Sequence, residues 1–362
     1  MSTEISIAGR KIGTGHPAYV IAELSANHNQ SIERARELIQ LAADAGADAV
    51  KIQTYTPDTM TIDCDNPHFT IGKGTIWEGR TLYDLYGEAA TPWEWTADLI
   101  ATAKACGLTL FSTPFDDSSV DFLETMGMPA YKIASFELVD LPLLKRVAAT
   151  GKPVILSTGM GTEAEIKEAV STLKDAGCVE LAVLKCTSAY PAPAEDANLA
   201  LIPAMAEKLS LPVGLSDHTL GHTVAVTATA LGACIIEKHF TRSRSEKGPD
   251  SEFSMQPEEF KAMVERIRTA EKSIGVAEYR LSPKEQASRV FRRSIFITAD
   301  IEAGGLLTPD NCRVIRPGYG MAPRELPNVL GKKVVAAVKR GTPLQWNLIE
   351  DEPTKGSEAD PG

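Results

Sequence analysis

Short, almost unbroken apolar runs recur along the chain at about 18–22, 48–52, 108–112, 130–134, 153–157, 180–185, 212–215 and 233–237. Such runs suit strands buried on both faces. Between them lie longer stretches with helical patterning, at about 31–45, 93–106, 117–127, 140–150, 162–176, 198–209, 221–232 and 257–274. Glycines stop several of these just before the next run, as in Ala45-Gly-Ala47, Cys106-Gly-Leu108, Thr150-Gly-Lys152 and Ala176-Gly-Cys178. Thr162 and Glu165 have the spacing of a capping box. Eight strands alternating with eight helices predict an α/β fold, a (β/α)8 TIM barrel. An open doubly wound sheet is the alternative, but no GxGxxG follows the first run.

Three stretches depart from this rhythm. Residues 1–17 are polar and turn-rich, which predicts a small hairpin ahead of the barrel. Residues 54–91 show no clear helix but carry Trp77, Tyr83 and Tyr86. A connection that long, after the second strand, is expected to form a lid or to shape a ligand site. Beyond the last barrel helix the pattern changes to short strands punctuated by Gly and Pro, around 292–300, 314–318 and 331–335. The expected division is a catalytic barrel at 1–278, a linker at 279–290, a small β-rich domain at 291–353 and a disordered tail at 354–362. A domain that small has a thin core and often leans on a partner surface.

Composition narrows the function classes. A net charge of −11 without a long Lys/Arg cluster argues against nucleic acid or an anionic membrane as partner. Six cysteines without close metal spacing read as reduced thiols. No signal-type segment or apolar run of membrane-spanning length is present, so a cytoplasmic protein is expected.

The chemistry concentrates where the strands run out. Leu215-Ser-Asp-His-Thr219 and Ile236-Glu-Lys-His-Phe240 put His218 and His239 at the ends of adjacent strands. Two imidazoles there make a plausible divalent-metal site, against the plainer reading of two unrelated polar residues. The other ends carry Glu23, Lys51, Gln53, Ser112, Thr113, Lys132, Ser135, Ser157, Thr158, Thr187, Ser188, Tyr190, Ser216, Asp217 and Glu237. Two lysines and several hydroxyls facing one cavity suit a phosphate, and Thr158-Gly-Met-Gly161 ahead of a helix adds backbone N–H groups. The competing reading pairs Lys51 and Lys132 structurally with Glu23 or Glu237, because a buried Lys needs a charged partner.

Val20-Ile-Ala-Glu-Leu-Ser-Ala-Asn-His28, Val50-Lys-Ile-Gln53, Phe111-Ser-Thr-Pro-Phe115, Tyr131-Lys-Ile-Ala-Ser135, Leu156-Ser-Thr-Gly-Met160, Ser216-Asp-His-Thr219 and Glu237-Lys-His-Phe240 resemble the sialic acid synthase family, over about residues 5–350. These enzymes condense phosphoenolpyruvate with an amino-sugar. The C-terminal part, with Arg293-Ser294 and Arg316-Pro-Gly-Tyr-Gly320, looks like the family's antifreeze-like (SAF) domain. The 54–91 insert and Gly248-Pro-Asp-Ser-Glu-Phe-Ser-Met255 are similar to the branch that uses 2,4-diacetamido-2,4,6-trideoxy-L-altrose. The branches making N-acetylneuraminate or legionaminate are the alternatives.

The resemblance implies roles. His218 and His239 would hold Mn2+ or Mg2+, the Lewis acid for the sugar aldehyde. Lys51, Thr113, Lys132, Ser135, Ser157, Ser188 and Ser216 would bind phosphoenolpyruvate. The family's Cys-Thr-Asn-x-Tyr-Pro reads Cys186-Thr-Ser-Ala-Tyr-Pro191 here, so Ser188 stands where an Asn would make that contact. Gln53, Tyr190, Asp250 and Arg316 would touch the sugar, Arg316 from the other subunit of a homodimer whose small domain caps the partner barrel. Glu23, or else Glu237, would handle the attacking water. His28 and His222 are expected to be orienting or structural. A different enzyme class, a Schiff-base pyruvate aldolase using Lys132, would need neither metal nor phosphoenolpyruvate.

Overall fold

The apolar runs form eight parallel strands: β3 (Tyr19–Glu23), β4 (Ala49–Thr54), β5 (Thr109–Pro114), β6 (Tyr131–Ile133), β7 (Val154–Ser157), β8 (Leu181–Cys186), β9 (Val213–Asp217) and β10 (Ile235–His239). They pair in chain order, and β10 closes on β3. The computed structural model describes residues 4–74 and 76–350, and the chain divides after Gly275 into two units. The expected tail at 354–362 lies outside the described residues. Ahead of the barrel, β1 (Glu4–Ile7) and β2 (Arg10–Gly13) form the expected hairpin. Arg10 pairs with Asp48, whose other oxygen accepts the Val20 N–H at 2.9 Å, so the hairpin sits at the strands' N-terminal end.

Helices follow the strands: α1 (Ile32–Asp44), α2 (Pro57–Met60), α3 (Leu82–Ala89), α4 (Thr96–Ala105), α5 (Asp117–Thr125), α6 (Leu141–Ala148), α7 (Glu163–Asp175), α8 (Leu201–Leu209), α9 (Thr223–Ala230) and α10 (Pro257–Ile274). Phe260, Met263, Val264 and Ile267 of α10 recur at three- and four-residue spacing and are buried, which fixes its inward face. Thr162 and Glu165 cap α7 reciprocally.

The 54–91 connection is more ordered than its sequence suggests. It contains α3, where Thr81 Oγ1 accepts the Asp84 N–H at 3.1 Å and donates to Asp84 Oδ2 at 2.8 Å. Two tyrosines and a glycine in eight residues weaken the helical pattern, so the cap and the surroundings decide.

In the second unit, β11 (Ser294–Ile297) and β12 (Cys312–Ile315) pair antiparallel. Its own core gathers Ile295, Ile297, Leu307, Cys312, Val329, Val334 and Leu344. The stretch expected as a linker holds a short helix, α11 (Pro283–Ser288), capped by Ser282 with Glu285 and exposed along its length. All six cysteines are free, four of them buried. Among the described residues no helix is long and apolar enough to cross a membrane.

Candidate active site

Pairing β3 with β4 sets Glu23 opposite Lys51, and pairing β9 with β10 sets Ser216 opposite Glu237. All four side chains are buried at the carboxyl ends of their strands. Lys51 Nζ lies 2.6 Å from Glu23 Oε2 and 4.0 Å from Glu237 Oε2, and it donates to Thr113 Oγ1 at 3.2 Å. Lys132 Nζ lies 3.5 Å from Glu237 Oε1, which also accepts from Ser216 Oγ at 3.0 Å. Two ammoniums and two carboxylates thus balance inside the barrel mouth, as burying charge requires. The structural pairing considered for the lysines is therefore present.

The pairing leaves groups unsatisfied. Lys51 holds Glu23 Oε2 as an ion pair, while Glu237 Oε2, Ser157 Oγ and His239 Nδ1 have no hydrogen-bond partner. Buried orphan polar atoms are rare, and three around one mouth mark space for a polar ligand. Burial pushes Glu23 up; Lys51 opposes this, and the neighbouring Glu237 adds to it. Burial acts on Glu237 in the same sense, but Lys132 and Lys51 outweigh it and hold Glu237 below the usual range. The two carboxyls are pushed apart, the pattern of an acid beside a base. Lys132 is pushed down by burial, which Glu237 only partly offsets. Burial opposes the charge on Lys51 too, but Glu23 and Glu237 raise it.

The imidazoles of His218 and His239 lie with ring centroids 5.3 Å apart. His218 Nδ1 is 2.9 Å from the Thr187 carbonyl. Only an N–H bonds a carbonyl, so Nδ1 carries a proton and Nε2 is the nitrogen left for a ligand. Burial, then His218 and the lysines, push His239 well down, which keeps it neutral. Burial opposes a charge on His218, but Cys186 and the Thr187 carbonyl raise it. Cys186 Sγ sits 3.8 Å from His218 Nδ1, and against burial His218 brings this thiol down to about 7. Among the described residues no group of three or more His, Cys, Asp or Glu forms a metal cluster. His218 Nε2 and the unpartnered His239 Nδ1 are the ring nitrogens that an ion held by two histidines would use.

Aromatic rings border the pair. Tyr190 lies 4.4 Å from His218 and 5.2 Å from Phe253, and Phe253 lies 4.9 Å from His239. Gln53 Nε2 donates to Glu23 Oε1 at 2.9 Å and to Ser25 Oγ at 3.0 Å. Ser25 in turn donates to Asp250 Oδ2 at 2.5 Å, so Gln53 and Asp250 belong to one chain of hydrogen bonds. Ser135 Oγ accepts the Gly159 N–H at 2.9 Å. A Cβ on Gly159 would fall 2.1 Å from Ser188 Oγ and 2.8 Å from Ser135 Oγ, so only glycine allows both hydroxyls there.

The barrel unit thus holds every proposed site residue except Arg316, which lies in the second unit, exposed just after β12. His28 is a structural histidine: its Nδ1 accepts the Gln30 N–H at 3.1 Å, and its Nε2 lies 3.2 Å from Thr91 Oγ1. His222 precedes α9 without a side-chain capping bond. Sequence reading missed Lys185, which donates to Thr187 Oγ1 at 2.5 Å. It also missed Lys238, held 2.7 Å from Asp217. Alternation was the available sign for the latter: with Glu237 and His239 on one face of β10, Lys238 must lie on the other.

The profile of the NeuB family matches residues 38–279, and that of the SAF domain matches residues 292–350. Pseudaminic acid synthase of Helicobacter pylori is 43% identical over 335 residues, covering 92% of this chain and 98% of the relative. N,N'-diacetyllegionaminic acid synthase of Legionella pneumophila is 38% identical, covering 93% of this chain and 96% of the relative. The solved N-acetylneuraminic acid (sialic acid) synthetase of Leptospira borgpetersenii superposes with a TM-score of 0.71 at 32% identity, covering 80% of this chain and 95% of that one.

Proposed function

The chain belongs to the NeuB family, with a C-terminal SAF domain, and from that premise we propose a specific reaction for it. It condenses phosphoenolpyruvate with 2,4-diacetamido-2,4,6-trideoxy-L-altrose and water, giving pseudaminic acid and phosphate. The observation that carries the sugar assignment is the near full-length identity to the Helicobacter pylori synthase, higher than that to the legionaminic acid synthase. Family membership makes the chain a phosphoenolpyruvate-dependent synthase and removes the Schiff-base alternative at Lys132.

Lys51 and Lys132, with Thr113, Ser135, Ser157, Ser188 and Ser216, hold the phosphate and carboxylate of phosphoenolpyruvate over the sugar aldehyde. Its methylene forms the new C–C bond, water adds to C2, and phosphate leaves with the bridging oxygen. Glu237, kept ionised by the two lysines, suits the proton of the attacking water. Glu23, pushed towards its neutral form, suits the opposite role of donor. Gln53, Tyr190 and Asp250 orient the sugar. His218 and His239 would hold a divalent ion, Mn2+ or Mg2+, which polarises the aldehyde oxygen when bound. On the same reading the enzyme is a cytoplasmic homodimer, and Arg316 reaches the sugar bound by the other copy.

The test supplies the metal-loaded protein with phosphoenolpyruvate and the altrose sugar in 18O-labelled water. A nine-carbon keto acid by mass spectrometry, unlabelled phosphate and loss of turnover with a chelator are expected. Labelled phosphate would mean P–O cleavage and contradict the mechanism, and absence of the keto acid would contradict the reaction.

A further inference from the structure

Ser25, two residues past Glu23, has a φ of +42°, in the left-handed region. Among the described residues it alone combines a positive φ, a side chain and burial; the other such residues are at least partly exposed. Side chains rarely adopt this conformation, and serine has none of the local advantage of asparagine or aspartate there. Glycine would take it without strain. What serine adds is a hydroxyl, and strained backbone retained around a polar group at a site points to function.

The backbone fixes the polarity of that hydroxyl's bonds. The Ala26 N–H, which can only donate, meets Asp250 Oδ2 at 3.3 Å, so Oδ2 is an acceptor. Ser25 Oγ lies 2.5 Å from the same oxygen and gives it the one hydroxyl proton. With that proton committed, Ser25 accepts from Gln53, which fixes the amide nitrogen on this side, 3.0 Å away. The second hydrogen of Gln53 Nε2 goes to Glu23 Oε1 at 2.9 Å. Both N–H groups are then used, and the part of the amide left for a ligand is its carbonyl oxygen. Turning the amide over would set that oxygen against a hydroxyl with no proton left to give.

We infer that Ser25 is a positioning residue: it relays the buried Asp250 to Gln53, so that Gln53 meets the sugar with its carbonyl oxygen and receives a substrate N–H or O–H. The inference rests on the sugar site proposed above, in which Gln53 and Asp250 orient that substrate. The diacetamido sugar brings two acetamido N–H donors as well as hydroxyls. Without the relay the Gln53 amide is free to turn, and its own N–H facing a substrate N–H makes no bond.

The test measures steady-state kinetics of the Mn2+-supplemented full chain, and its urea unfolding, for wild type, Ser25→Gly, Ser25→Ala, Gln53→Met and Ser25→Gly/Gln53→Met. Glycine relieves the backbone and alanine keeps it strained, while both remove the hydroxyl. The urea midpoint of Ser25→Gly is thus expected above that of Ser25→Ala, yet both should raise KM for the sugar by roughly 5- to 20-fold. KM for phosphoenolpyruvate should stay within about twofold of wild type. In the Gln53→Met background Ser25→Gly should add about threefold or less, because the residue it acts through is gone. A sugar KM near wild type in Ser25→Gly, with only Ser25→Ala impaired, would assign Ser25 to the backbone alone and overturn the inference. Equal rises in KM for both substrates would overturn it too, as would independent factors in the double variant. If wild type turns over N-acetylmannosamine and not the trideoxy sugar, the sugar assignment falls, and the same comparison on N-acetylmannosamine decides the relay. No turnover with either sugar would overturn the proposed reaction and this inference with it.

Discussion

Lys238→Met removes one half of a buried ion pair just behind the metal-type histidines. Lys238 and Asp217 are direct partners in the β10–β9 register, 2.7 Å apart, each with a side chain about 1% exposed. Lys238 Nζ also donates to the Thr219 carbonyl, and Asp217 Oδ1 accepts from Thr219 N and Oγ1 at 2.9 and 2.8 Å. The pair thus fixes the turn that carries His218 and the strand that carries His239. Methionine keeps much of the stem but leaves Asp217 a buried charge with only the Thr219 donors. Breaking such a pair costs about 3–5 kcal/mol, which in a unit of this size lowers the melting temperature by roughly 6–20 °C. The double variant Asp217→Asn/Lys238→Met buries no charge, so it should recover more than half of the loss. Urea unfolding followed by tryptophan fluorescence reads this unit preferentially, since Trp77, Trp93 and Trp95 lie in it and only Trp346 lies outside. A single variant within about 1 kcal/mol of wild type, or a double variant no better than the single, would refute the reasoning.

Two further expectations concern stability with pH and the phosphate site. Burial pushes His28 down to about 4, and its Nδ1 is already an acceptor for the Gln30 N–H, so protonation would cost that bond as well. The unfolded chain therefore binds the extra proton first, and stability present above pH ~6.5 falls as the pH drops towards ~4, by up to roughly 3 kcal/mol. In His28→Gln that acid-side slope should be lost relative to wild type, as read from urea midpoints at pH 7 and 5, and an unchanged slope would contradict the assignment. Lys132→Met should raise KM for phosphoenolpyruvate by about 10- to 100-fold, the worth of a charged hydrogen bond. Adding Glu237→Gln should restore stability without restoring activity. An unchanged KM would remove Lys132 from the phosphate site.

Most of the barrel was legible because its strands are buried on both faces and so read as continuous apolar runs, from Tyr19 to His239. His218 and His239 stood out because each interrupts such a run at its carboxyl end. The helix at Leu82–Ala89 did not, since its cap at Thr81 and its packing outweigh a pattern weak in helix formers. Partnerships were harder still. Sequence gave Lys51 and Lys132 as cations in apolar surroundings, but which carboxylate each meets depends on strand register and side-chain reach. The link from Gln53 through Ser25 to Asp250 joins residues up to 225 positions apart, beyond any local pattern. Trp77 was visible as an aromatic in a long connection, but its place beside Tyr190 depends on how that connection folds back over the mouth.

The central claim is that the buried Glu, Lys and His residues of this mouth join phosphoenolpyruvate to a trideoxy-diacetamido sugar. Phosphate release from phosphoenolpyruvate by the Mn2+-supplemented full chain, measured side by side with that sugar and with N-acetylmannosamine, tests it most directly. Release with the trideoxy sugar and little or none with N-acetylmannosamine is the expected result. Release with N-acetylmannosamine alone would contradict the sugar assignment, and no release with either would contradict the claim itself.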